Sequence, residues 1–498
     1  MLLEAFAALA VAWAFTSLLE SLWQHQPDLP RVGANPGLLG LRAWWARWKW
    51  YQTGHRDITQ HYDQQKSHGF NYIIHTITGN TVVLPRFLGE LNMLPESQLS
   101  STAALVDSVL GEYSGVDLLL RDHLTSDICR GGLTRNLSTF LPLMSEELDD
   151  AMLEMLNPKT GKESYVAFEL LYSIIHRISS RVFVGRQHCH DPAWTRAVTD
   201  LPVNVEITKF ILLPFPSSLR RLIAPLIPQR NNIFRQRKSA RDVLFPSRIV
   251  VAGDEPSVLK LFIESKKDHD PDSLTARLLL LTAAALHTST MAATHALFDL
   301  CAMPEYVGAL RAEAQLALAE SGGVWQYSTI KNLRQLDSFL KESQRVNQST
   351  FLGFDRKVMS TIKLSDGTIL PAGSLIMMPG GPMSGDQEYY KNPGSFDGRR
   401  FCSPAANLSD DTSKATGGMT QDYTGIEPGN LSWGNGRFTC PGRWYGAAMI
   451  KLILANVLIR YDISFPEGQT ERPANTKYDT EVHPDFGAKV CFAKRGLD

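Results

Sequence analysis

The longest apolar pattern in the chain runs from Ser273 to Met303, without Gly or Pro, through the text LTARLLLLTAAALHTSTMAATHALFDLCAM. It predicts one helix of roughly 45 Å, enough to cross a whole domain. Leu333, Leu336, Phe339 and Leu340 recur at helical spacing ahead of Glu342, and Trp444–Ile459 reads as another buried helix. Strand patterns are short and sparse. The clearest, KVMSTIKLSDGTILPAGSLIMM, sets an Asp-Gly turn between alternating runs and predicts a small hairpin system. The polar text from Ser409 to Asn430 reads as loop. The fold class this implies is mainly α with small β-sheets, an α+β body.

At the amino terminus, Leu2–Trp23 reads LLEAFAALAVAWAFTSLLESLW and predicts a transmembrane anchor over residues 1–24, with Glu4 and Glu20 shortening its apolar centre. The alternative is a first amphipathic helix of the body. No Lys or Arg precedes this stretch, whereas Arg31, Arg42, Arg47 and Lys49 follow it, which puts the rest on the cytoplasmic side. No basic leader or small-residue cleavage site marks a removable signal. Pro27, Pro30 and Pro36 suggest a stiff connector over residues 25–40. Residues 41–498 show no repeat or internal linker and read as one domain.

The 498 residues carry a net charge of -1, with 44% apolar and 20% charged positions, so the chain can bury a large core and has no electrostatic footprint for nucleic acid. Six cysteines without a CxxC pair exclude a disulfide scaffold and a zinc ribbon. His188-Cys189-His190 reads as an exposed loop, because three successive side chains do not readily converge on one ion. Phe210–Pro228 mixes bulky apolar residues with prolines, Arg220 and Arg221; it reads as an irregular loop or as a lid dipping into a membrane surface.

The sharpest local signal is LSWGNGRFTCPGRWYG. Gly436 and Gly442 permit tight or positive-φ turns that aim amide N–H groups at the Cys440 sulfur. Pro441 suits a first helical turn. A thiolate at the positive end of a helix is expected to have a depressed pKa, as a metal ligand requires. One cysteine suits a single-ligand site, whereas zinc wants several ligands. A buried free cysteine is the other reading. Upstream, Glu342 and Arg345 lie three apart on one helix face and can pair.

The loop resembles the haem-binding signature of the cytochrome P450 family, with Trp433, Gly436, Cys440 and Gly442 in register and Trp433 standing where Phe is usual. Phe438 occupies a position where a basic residue often reaches a haem propionate. The resemblance extends in order through Ala284–Ser289, Glu342–Arg345 and Phe396–Arg400. It implies haem b with Cys440 as axial iron ligand, Arg356 and Arg437 on the propionates, and a structural cluster of Glu342, Arg345 and Arg400. It also implies proton delivery by Thr288 and His287. Ser384 stands where a histidine is often found, which with Phe438 predicts fewer polar contacts to the porphyrin and easier haem loss.

The implied activity is a haem-thiolate monooxygenase of the fungal microsomal type, hydroxylating or desaturating a lipophilic terpenoid, meroterpenoid or alkaloid of secondary metabolism with O2. No GxGxxG follows a strand, so the chain offers no flavin module, and electrons are expected from a separate NADPH-cytochrome P450 reductase at the endoplasmic reticulum membrane. Two other readings remain: a haem-thiolate isomerase or dehydratase that uses no oxygen, and a non-catalytic membrane haem-binding protein.

Overall fold

The computed structural model describes residues 27–33, 40–68, 71–76, 79–156, 161–247, 250, 253–402 and 422–496. The anchor predicted over residues 1–24 lies outside them, as do residues 25, 26 and 34–39 of the connector. Among the described residues no helix is long and apolar enough to cross a membrane.

The principal helices are α1 (Gly40–His68), α2 (Leu137–Met155), α3 (Ala167–Val184), α4 (Pro192–Leu212), α5 (Pro228–Leu244), α6 (Pro271–Ala302), α7 (Arg334–Val346) and α8 (Arg443–Arg460). Helix α6 is the predicted long one. It starts where the Asp270 carboxylate accepts from the amides of Asp272 and Ser273 and where Pro271 fills a position that needs no N–H. Its Leu274, Leu278, Leu286, Ala293 and Leu297 are buried, and it packs against α3, α5 and α7. Helix α8 is buried without a break from Tyr445 to Leu458, so the two helices form the centre of the main core.

A six-stranded sheet lies to one side, built from β1 (Arg31–Val32), β2 (Tyr72–Thr76), β3 (Gly79–Val83), β4 (Leu99–Ser100), β5 (Gly353–Val358) and β6 (Leu375–Met378) in the order β1-β2-β3-β6-β5-β4. The predicted Asp-Gly turn is present: Gly367 has φ +91°, and it joins Ile362–Lys363 to Ile369–Leu370. A short hairpin, β7 (Thr476–Tyr478) and β8 (Glu481–His483), completes the parts that matter for the site.

Part of the connector is not a free tether. Arg31 and Val32 pair in parallel with Ile73 and Ile74, because Val32 buries itself in a cluster with Trp50, Ile58 and Tyr72. The Phe210–Pro228 segment is also more ordered than an irregular loop. Helix α4 runs to Leu212, and a short helix at Ser217–Ile223 leads to α5. Arg220 folds back onto the end of α4. Its Nε donates to the carbonyls of Leu212 (3.2 Å), the last residue of α4, and Phe215 (2.7 Å) in the turn that follows. Phe210, Leu222 and Leu226 are exposed.

The His188–His190 stretch is only partly an exposed loop. Cys189 is buried, and its sulfur, His190 and Glu147 place ligand-type atoms within 4.8 Å of one another. The Glu147 carboxylate already takes Arg177 Nε at 2.6 Å, so this group has its own counter-cation.

Candidate active site

The cysteine loop is shaped by two left-handed glycines, Gly434 (φ +73°) and Gly436 (φ +67°). They turn the chain so that the Cys440 amide donates to the Trp433 carbonyl at 2.7 Å. The Trp433 indole is fixed by donation to Tyr423 O at 2.8 Å and by an edge contact with the Tyr423 ring. Gly442 departs from the expected turn role: its φ is −93°, and it caps α8. The positive-φ work falls to Gly434 and Gly436 instead. At Gly436 a Cβ would lie 2.2 Å from Asn92 Oδ1, whose side chain is tied to Asn435 at 2.7 Å. Gly436→Ala is therefore expected to cost about 1–2 kcal/mol from the left-handed backbone alone, read as a lowered melting temperature, with Asn92→Ala in the same chain recovering only the steric share.

The electrostatics of Cys440 also differ from the expectation of a depressed pKa. Burial pushes the thiol up, and the opposing pull of the Gly442 and Arg443 amides and of the Arg443 and Arg130 charges does not cancel it. The helix terminus is present, but removing a thiolate from water outweighs it.

The two predicted arginines meet the predicted glutamate. Arg345 Nε and Nη2 donate to the two oxygens of Glu342 at 2.8 Å each, and Arg400 Nε donates to Oε2 at 2.9 Å. The Asp397 amide adds a bond to Oε1 at 2.9 Å. The spare guanidinium nitrogens are taken up by carbonyls, Arg345 by Ser384 at 2.7 Å and Arg400 by Ser395 at 2.8 Å. All three side chains are buried. Ser384 meets this cluster through its backbone carbonyl, while its hydroxyl is turned to Gly381 O at 2.6 Å.

A cavity of about 2530 Å³ opens between α6, the hairpin and the cysteine loop, with Arg437, Phe438, Thr439 and Pro441 in its wall. Ordinary ligand pockets measure about 300–1,000 Å³, so this one has room for a large cofactor and a substrate together. Ala284 and Thr288 of α6 face it. The Thr288 hydroxyl donates to Ala284 O at 2.8 Å, which leaves its lone pairs toward the cavity. His287 also lines the cavity, yet turns to Phe168 and His483. Successive helical positions do not face each other, so a direct His287–Thr288 relay is not built here. Burial and the neighbouring His483 lower the His287 pKa against the pull of Glu481 and Glu206.

Arg356 is buried beside the loop. The β5–β6 register shifts between Gly353 and Arg356, and Phe354 takes φ +62°, a bulge that aims Arg356 between the rings of Phe354 (4.0 Å) and Phe438 (4.7 Å). Its guanidinium donates to the carbonyls of Asp355 (2.8 Å) and Asn435 (3.3 Å). Desolvation pushes its pKa down to about 10 against Asp355 and Glu96. Arg437 is exposed on the cavity wall. Sequence reasoning missed Arg130, which lines the cavity and donates to Arg437 O at 2.8 Å from the π-helical turn Ile128–Leu133. The Gly131-Gly132 pair is the only trace of that turn in the sequence; its hydrogen-bond pattern leaves no periodicity to read.

Residues 118–492 match the sequence profile of the family described as Cytochrome P450. The chain belongs to the cytochrome P450 family. It is 33% identical over 428 residues to a cytochrome P450 monooxygenase of Emericella nidulans, covering 83% of this chain and 78% of that one. An ent-kaurene oxidase of Gibberella intermedia is 32% identical over 464 residues, 91% of this chain and 86% of its own. The cytochrome P450 monooxygenase AtmP of Aspergillus flavus is 31% identical over 458 residues, 88% and 84% respectively.

This P450 is accordingly a monooxygenase of the haem-thiolate type, with iron held by a cysteine. The residues present fit a haem. The cavity has the volume. Beside Gly442, where a Cβ would meet nothing within 4 Å, the loop leaves open space. Arg356, a buried cation that forms no salt bridge among the described residues and is satisfied only by carbonyls, calls for an anionic partner such as a propionate. Arg130 adds a cation that the expectation of easy haem loss left out.

Proposed function

We propose that this P450 oxidises a lipophilic small molecule of fungal secondary metabolism, a terpenoid, meroterpenoid or alkaloid, with Cys440 as the iron ligand. When bound, the haem supplies a thiolate-held iron that activates dioxygen. The observation that carries the reading is the cavity, whose walls join the Cys440 loop to apolar side chains such as Val116, Leu201 and Met291. That lining excludes water and admits a greasy skeleton. Thr288, with its lone pairs toward the cavity, can accept a proton-bearing water and pass its own hydroxyl proton inward by rotating off Ala284 O. Arg356, Arg437 and Arg130 hold the carboxylates, and Trp433 and Gly436 hold the loop's shape.

Electrons come from a separate NADPH-cytochrome P450 reductase. Arg443, outside the cavity wall and beside Cys440, gives the cysteine face a positive charge that suits an acidic donor. The anchor over residues 1–24 and the connector over 25–40 tether the haem domain of 41–498 to the cytosolic side of the endoplasmic reticulum membrane. Exposed Phe210, Leu222 and Leu226, with Trp45 and Trp48, support seating on that surface.

The reading is tested with the purified full chain, reductase and extracts of a producing fungus under 18O2. A compound that gains labelled oxygen only when NADPH is present supports it, and product formed without NADPH or reductase contradicts it. Thr288→Ala is expected to lower product per NADPH several-fold while NADPH consumption continues, measured as peroxide released against product formed.

A further inference from the structure

The β7–β8 hairpin gives the cavity a polar corner that the proposed chemistry does not use. Its strands pair Tyr478 with Glu481 and Thr476 with His483. The hairpin is fastened from two sides. Asp479 N donates to Tyr51 O at 2.7 Å and Trp50 Nε1 donates to Asp479 Oδ1 at 2.6 Å, both from α1. Phe351 N donates to Thr480 O at 2.6 Å, and Val482 N to Ser349 O at 3.0 Å. Such a frame fixes side-chain positions as a free loop does not.

Glu481 projects from this frame into the cavity, its side chain half exposed there. His483 Nε2 holds Glu481 Oε2 at 2.8 Å. The His483 ring is stacked on Tyr478 at 4.8 Å and leans on Phe486, so its orientation is set by packing. It lines the cavity, is only 4% exposed, and its Nδ1 is buried without a hydrogen-bond partner among the described residues. In the tautomer that gives Nε2–H to the carboxylate, Nδ1 is an acceptor. Burial alone would raise the Glu481 pKa, but His483, Lys209 and His287 outweigh it and hold the carboxyl below its usual range. Glu206, on the facing wall, is paired with Lys209 at 2.5 Å. With the carboxylates of Glu481 and Glu206 facing one Lys209 ammonium, the corner offers anionic acceptors inside a mostly apolar pocket.

We propose that Glu481, oriented by His483, forms a subsite that selects an apolar substrate carrying a hydroxyl group and rejects the same skeleton carrying a carboxylate. This rests on the reading of the cavity as the substrate pocket. The hydroxyl donates to the Glu481 oxygen that His483 does not hold; a carboxylate meets like charge, and the Lys209 ammonium in the same wall is already held by Glu206. Glu481 and His483 act on binding and orientation, not on the oxidation itself.

The test uses the haem-loaded full chain and three probes on one tricyclic diterpene skeleton: dehydroabietinol, its methyl ether and dehydroabietic acid. Binding is read by equilibrium dialysis, independent of turnover. The alcohol is expected to bind about tenfold more tightly than the ether, the size of a hydrogen bond to a charged acceptor, and the acid more weakly still. Glu481→Gln should weaken the alcohol several-fold, because the amide oxygen still accepts but without the charge, and improve the acid, since the amide can donate, while the melting temperature and the carbon monoxide spectrum stay as in the parent. His483→Gln should weaken the alcohol several-fold with the acid still disfavoured, because the charge remains while its orientation is loosened. Equal binding of the three probes, an unchanged ratio in Glu481→Gln, or no binding of any probe by a chain with a normal carbon monoxide spectrum overturns the subsite. An abnormal spectrum in the parent chain instead fails the proposed function.

Discussion

Glu342→Ala is expected to yield a chain that loses haem and melts far below the parent. The substitution takes away the carboxylate that pairs two buried guanidinium groups, Arg345 and Arg400. Breaking a buried ion pair from one side costs roughly 3–5 kcal/mol, and a domain has only about 5–15 kcal/mol in hand. The Asp397 amide loses its acceptor as well, which loosens the segment carrying Arg400. Glu342→Asp should fall between the two, because a shorter carboxylate cannot meet both guanidiniums at 2.8–2.9 Å. Arg345→Lys should resemble the alanine variant, since a point-charge ammonium cannot replace the two-pronged bond. Haem content per chain and thermal unfolding measure all three. A Glu342→Ala chain with parental melting and haem content contradicts the assigned role of the cluster.

The second large effect is at Cys440, and it is of the opposite kind. Cys440→Ser is expected to leave the fold intact, because the loop is held by the Cys440 amide on Trp433 O, by Gly434 and Gly436, and by Trp433 on Tyr423, none of which uses the sulfur. Turnover should fall by more than the about 10–100-fold that loss of an outer partner of a metal ligand brings, since the ligand itself is lost. A parental melting temperature with product formation at background is the expected pair of results. Parental turnover would place the iron ligand elsewhere.

Periodicity carried the helices well and the sheets poorly. The Ser273–Met303 pattern corresponds to Pro271–Ala302, the small shift coming from the Asp270 cap and from Pro271 at a position where proline does no harm. Trp444–Ile459 corresponds to Arg443–Arg460 for the same reason: an element buried on every side has no polar face to blur its ends. Strand β2 left no alternation because all five of its residues, Tyr72–Thr76, are buried, and a strand covered on both faces reads as a plain apolar run. The pairing of Val32 with Ile74 was hidden behind prolines that mark a linker.

At the site, residue identity was legible and backbone conformation was not. Glu342, Arg345 and Arg400 converge as their positions suggested, yet which glycine takes positive φ depends on the surrounding turn, so Gly434 did the work expected of Gly442. The Cys440 thiol went up rather than down because the depth of burial is a property of the folded loop. Arg130 and the Glu481–His483 pair come from chain segments far from any motif and meet the cavity only through tertiary packing.

The central claim is that Cys440 supplies the thiolate to the iron, and the reduced, carbon monoxide-treated full chain tests it most directly. The parent should show the red-shifted Soret band of thiolate ligation and Cys440→Ser should lack it while remaining folded by circular dichroism. The same red-shifted band in both chains, or its absence from a folded, haem-loaded parent, would contradict the account.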